Sequence, residues 1–100
     1  PHHEIARRQM SGFGGLISFE VDGDRDGAVR VLDRVQVFSL AESLGGVESL
    51  IEHPGLMTHA SIPIEVRNEK GLTDSLIRIS VGIENVNDLI EDLEQALSSL

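Results

Sequence analysis

One hundred residues with 17 acidic and 8 basic side chains carry a formal charge of −9. That balance argues against a nucleic-acid backbone as partner, because such affinity comes largely from Lys and Arg on phosphates. A 40% hydrophobic and 25% charged composition without cysteine fits one globular domain and excludes disulfides, thiolate nucleophiles and Cys-ligated zinc.

In chain order, residues 2–10, "HHEIARRQM", read as a short helix that ends before the glycines of "SGFGG". They lack the apolar core of a signal peptide. "LISFEV" (16–21) alternates as a strand does. The polar turn "DGDRDG" follows, with Asp24 or Asp26 as helix N-cap, and leads to a helix over 28–35 striped by Val29, Leu32 and Val35.

"QVFSL" (36–40) is a second strand, "AESLGG" a loop, and 47–53 a third strand stopped by Pro54. After the irregular "PGLMTHA", residues 63–71 form a short helix with Pro63 in its first turn and Gly71 at its C-cap. "LIRISVG" (76–82) is the last strand. The closing helix carries Leu89, Ile90, Leu93, Ala96, Leu97 and Leu100 at helical spacing, with Asn85 as N-cap. The pattern is an α+β domain over 1–100: a small mixed or mostly antiparallel sheet of about four strands under helices. No run approaches the ~20 apolar residues that span a bilayer, and a cytoplasmic setting is expected.

Few features suggest chemistry by themselves. "DGDRDGAVRVLD" places Asp22, Asp24, Asp26 and Asp33 at positions of a calcium loop, with Gly27 at its sharp turn. Asp33 is short for the closing bidentate ligand, and the ordinary alternative is an acidic strand-to-helix turn. Glu52, His53 and His59 are a conceivable metal set, but their spacing matches no helical pair. Alternation puts Leu76, Arg78 and Ser80 on one face of the last strand and Ile77, Ile79 and Val81 on the other. Arg78 is then either a solvated surface arginine or, through its planar fork, a carboxylate site. "ESLGG" offers backbone N–H groups as a second possible anion contact.

"HEIARRQMSGFGGLISFE", "FSLAESLGGVESLIEHPGLMTHA" and "LIRISVGIENVNDLIEDLEQAL" resemble the C-terminal domain of the Cys/Met-metabolism family. These are trans-sulfuration enzymes that use pyridoxal 5′-phosphate (PLP), especially cystathionine γ-synthases and γ-lyases. The resemblance implies that Arg78 binds the α-carboxylate of an amino-acid substrate and that Ser43 and Leu44 line the same pocket. It implies that Glu42 faces the distal part of the substrate and that Thr58 lies nearby. It further implies a homotetramer whose PLP lysine lies in a separate, larger domain. The single lysine, Lys70, sits in "RNEKG", which does not resemble the PLP-lysine motif. These 100 residues are therefore expected to be inert alone and to expose an apolar face. "RQMSGFGG" favours the synthase, joining O-acylhomoserine and cysteine to give cystathionine. The lyase is the alternative, and a stand-alone calcium-binding module the rival from another class.

Overall fold

The computed structural model describes residues 1–100. Its elements are α1 (His3–Gln9), β1 (Leu16–Glu20), α2 (Asp24–Arg34), β2 (Ser39–Leu40), β3 (Leu50–Glu52), α3 (Ile64–Glu69), β4 (Leu76–Ser80) and α4 (Val86–Leu97). This is the element order read from the sequence. All four strands form one open mixed sheet in the order β1-β4-β3-β2. β4 runs antiparallel to β1 and β3, while β2 is parallel to β3.

Alternation along β4 separates the two faces of the sheet. Ile77 and Ile79 are buried in a cluster with Ile51 of β3, Ala28 and Val31 of α2, Phe38, and Leu89 and Ala96 of α4. Truncating one of these isoleucines to alanine would cost about 2–5 kcal/mol in a core that cannot collapse around the gap. Leu76, Arg78 and Ser80 face the other way, as expected. Their register partners are Glu20, Ser18 and Leu16 of β1, and Arg78 and Ser80 also stand opposite Glu52 and Leu50 of β3.

Several boundaries differ from the sequence reading, for identifiable reasons. The second strand shrinks to Ser39–Leu40 because the N–H groups of Gln36, Val37 and Phe38 converge on the Asp92 carboxylate at 2.7, 2.8 and 3.0 Å. A strand needs successive N–H groups to alternate in direction. The third strand starts only at Leu50 because the Ser49 N–H turns to Glu84 Oε1 at 2.7 Å. Helix α2 begins at Asp24 with Gly23 (φ 90°) as N-cap and no side-chain cap, so neither Asp24 nor Asp26 caps it. Gly27 is buried where a Cβ would strike the Asp22 carbonyl. Its absence of a side chain seats the turn, and the fully buried positions are Gly27, Ala28 and Val31, while Leu32 and Val35 of the expected stripe pack half-buried against the core.

In α4, Asn85 accepts from the Asn87 N–H at 2.9 Å, as expected of the N-cap. Leu89 and Ala96 are buried, whereas Ile90 and Leu100 are exposed and Asp92 is buried in their stead. The same helical geometry removes the calcium reading. Asp24, Asp26 and Asp33 lie on α2 just after Asp22, where no ion-wrapping loop forms, and no cluster of three or more His, Asp or Glu is placed to hold a metal. No helix is long and apolar enough to cross a membrane.

Candidate functional site

The sheet face away from the core carries the candidate site. Arg78 stands mid-strand on β4, its side chain 21% exposed, with Nη2 2.5 Å from Oε1 of Glu52. Glu52 is its register partner on β3 and is 2% exposed. Neither Glu52 oxygen has a hydrogen-bonding donor, so the contact is a charge pair without directed N–H···O geometry. A guanidinium has five N–H donors in a planar fork, and most of the Arg78 fork is left uncommitted.

Arg67 shows the alternative fate of a buried arginine. Its Nε donates to the Ile62 carbonyl at 3.1 Å, and its Nη1 donates to the Gly55 carbonyl at 3.0 Å and to Asp74 Oδ1 at 3.3 Å. That arginine ties loops together. His53, also buried, accepts from the Leu56 N–H at Nδ1 and bonds the Asp74 carbonyl through Nε2 at 2.6 Å. With both ring nitrogens occupied, His53 is not placed as a metal ligand.

The chain between β2 and β3, residues 41–49, is short for a parallel crossover. It suffices because only two residues pair on β2, so the return spans roughly 7 Å at ~3.3 Å per residue. The Gly45 N–H donates to Ser80 Oγ at 2.7 Å, docking this loop on the face that bears Arg78. Its far end is fastened twice over. Glu84 accepts from the Ser49 N–H and from Ser49 Oγ, each at 2.7 Å, and the Gly82 N–H donates to Ser49 Oγ at 2.8 Å. The Ser49 hydroxyl first, then the Ser49 N–H and the N–H of Glu84 itself, hold the Glu84 carboxyl below its ordinary pKa. Gly82 is required by contact: a Cβ there would run into the backbone of Val47, Glu48 and Ser49.

Between β2 and the Gly45 fastening, Glu42, Ser43 and Leu44 stand exposed. Leu44, Gly45, Ser80 and Leu16 help line a shallow cavity of about 220 Å³, less than the ~300–1,000 Å³ of a complete small-molecule site. Thr58 lies in the turns after β3, its hydroxyl 2.7 Å from His59 Nδ1. The fold therefore brings the Ser43–Leu44 loop to the Arg78 face, while Thr58 bonds within its own turn. A larger cavity of about 370 Å³, lined by Asp88, Glu91 and Asp92 among others, lies along α4. Its acidic wall suits no carboxylate ligand.

Sequence reasoning missed Glu84, Gly82 and Asp92, and weighed Glu52 only as a metal ligand, not as the partner of Arg78. Glu52 had a legible signal, an acidic residue inside one apolar strand facing an arginine inside the next. The residues present do not fit PLP as a held group. Lys70, the only lysine, is the exposed C-cap of α3, and neither lysine nor aromatic ring lines the cavity beside the docked loop.

Residues 1–98 match the family model described as Cys/Met metabolism PLP-dependent enzyme. The chain is 57% identical over 97 residues to a cystathionine γ-lyase of Dictyostelium discoideum and 60% identical over 97 residues to a cystathionine β-lyase of Coxiella burnetii. Each alignment covers 97% of this chain and 25% of the relative. The crystal structure of a cystathionine γ-lyase from Micromonospora echinospora superposes with a TM-score of 0.89 at 48% identity, over 98% of this chain and 25% of that one. The chain thus spans about a quarter of the length of the relatives it matches.

Proposed function

The chain belongs to the Cys/Met-metabolism PLP-dependent enzymes, and from that premise we propose that residues 1–100 are the C-terminal, substrate-carboxylate-binding domain of a cystathionine lyase. PLP is the cofactor of the family; in this reading polypeptide outside residues 1–100 holds it. The observation that carries the proposal is Arg78, a half-buried cation on the coreless face with most of its donor fork uncommitted.

Arg78 takes the substrate α-carboxylate in a bidentate, charge-assisted contact and so fixes the orientation of Cα for the chemistry done elsewhere in the enzyme. Ser43 and Leu44, on the loop docked through Gly45 and Ser80, close one side of that carboxylate pocket. Glu42 attracts a distal ammonium group such as cystathionine carries. Thr58 is assigned to the pocket margin. Exposed apolar residues, among them Phe13, Val47, Ile83 and Val86, supply surface for packing against the rest of the polypeptide and against further subunits of a cytoplasmic homotetramer.

The lyase names of the relatives favour cleavage of cystathionine over the synthase reaction expected from "RQMSGFGG". Assay of the intact polypeptide with cystathionine alone, against O-acylhomoserine plus cysteine, tests this. Release of cysteine marks γ-cleavage, and release of homocysteine marks β-cleavage. Dominant formation of cystathionine would overturn the lyase reading in favour of γ-synthase. Turnover of neither would overturn the trans-sulfuration reading altogether.

A further inference from the structure

Glu52 is a physical oddity. It is the last residue of β3, between buried Ile51 and buried His53, and is as inaccessible as the core isoleucines. Taking a carboxylate out of water costs several kcal/mol unless it is well paired and hydrogen-bonded. Here neither oxygen receives a hydrogen bond, and the sole compensation is the Arg78 guanidinium against Oε1. An apolar side chain of similar volume would fill this place at lower cost. Stability therefore gives no reason for the charge.

Arg78 gives one. Its side chain is long and flexible, and its flanking strand partner on the other side, Ser18, offers no charge to hold it. An arginine left with a choice of rotamers presents its fork in several directions, and bidentate capture of a carboxylate rewards only one. Glu52 is buried, sits directly opposite on the neighbouring strand and touches Nη2. That charge contact restrains one end of the guanidinium and leaves the other donors of the fork uncommitted.

We propose that Glu52 is a positioning residue for Arg78: its buried carboxylate aims the guanidinium fork and so sets the selectivity of the site for an α-carboxylate. This rests on the reading of Arg78 as the substrate clamp. The opposing charge also offsets part of the Arg78 field. Discrimination between a carboxylate and an isosteric neutral group then comes from the direction of the fork more than from net charge.

The test uses the intact PLP-loaded enzyme and the ratio of kcat/KM for an α-amino-acid substrate to that for its α-carboxamide. Glu52→Gln keeps the volume and removes the charge; Glu52→Ala removes both. The ratio is expected to fall at least tenfold in Glu52→Gln, through loss on the carboxylate substrate with little change on the amide. Glu52→Ala should fall at least as far. A merely structural role would depress both substrates together and leave the ratio in place. A ratio that stays or rises in Glu52→Gln overturns the inference, even if Glu52→Ala fails to fold. Arg78→Ala separates the two layers of the argument. If it leaves the ratio unchanged, the clamp reading itself has failed. If it collapses the ratio while Glu52→Gln does not, only the positioning role has failed.

Discussion

Gly82→Ala is the smallest change that should disturb the site without touching any residue assigned to bind substrate. A Cβ at position 82 would fall 2.6 Å from the Glu48 carbonyl carbon and 2.7 Å from the Ser49 nitrogen, and closer still to the Val47 oxygen. Ordinary carbon contacts need about 3.5 Å, so the 47–49 backbone must retreat by roughly 1 Å, most of all at the Val47 carbonyl. The same atoms form the fastening of the loop, because Ser49 carries the two 2.7 Å bonds to Glu84 and the Gly82 N–H bond. Overpacking of this kind costs about 1–3 kcal/mol. A misplacement near 1 Å at a positioning element can cost about 100-fold in rate. The expected outcome in the intact enzyme is a lower thermal midpoint together with a tenfold to 100-fold drop in kcat/KM. Gly71→Ala is the control: it has φ +76° but no atom within 4 Å of the added Cβ. It carries conformational strain of about 1 kcal/mol, and kcat/KM should hold. Equal activity in Gly82→Ala and wild type would refute the docking of this loop.

Arg67→Ala should behave oppositely to a change at Arg78: loss of its bonds to Ile62, Gly55 and Asp74 should remove about 2–4 kcal/mol of stability, with KM for the folded enzyme unchanged. For Asp92, burial raises the pKa, but hydrogen bonds from Phe38, Gln36, Val37 and Gln95 outweigh it and hold the carboxyl below its ordinary value. A depressed folded pKa stabilises fully above the unfolded value near pH 4 and is lost as pH falls through the folded value. Asp92→Asn should therefore weaken the fold by about 2–4 kcal/mol at neutral pH and flatten the acid limb of a stability–pH profile. A limb of undiminished slope would show that Asp92 does not carry it.

Much of the architecture was legible because it is written in apolar period. The alternation of "LIRIS" gave the core face of β4, and the stripe through Leu89, Leu93, Ala96 and Leu97, with Asn85 before it, gave α4 and its cap. What stayed hidden is the work of carboxylates reaching across the chain. Asp92 reads locally as a solvated helix position, yet it gathers three N–H groups from residues 36–38 and so shortens the preceding strand. Glu84 reads as a loop acid but cuts β3 short by taking the Ser49 N–H. The start of α2 was misplaced because Gly27 tolerates an approach by the Asp22 carbonyl that no local preference announces. Pairwise apposition decides the site in the same way. Arg78 could be placed on its face from "LIRIS", and Glu52 stood out as an acid inside an apolar strand, but their standing opposite each other follows only from β3 lying beside β4.

The most direct test of the central claim is kcat/KM for the amino-acid substrate in Arg78→Ala, measured in the intact PLP-loaded enzyme. Charge-assisted hydrogen bonds contribute about 1.5–3 kcal/mol each. Losing a bidentate pair, which is less than additive, should remove about 2–4 kcal/mol, or roughly 30- to 1,000-fold at tenfold per 1.36 kcal/mol. The account predicts a loss in that range with KM raised. A loss below threefold would contradict it, and Arg78 would then be a surface arginine held by Glu52.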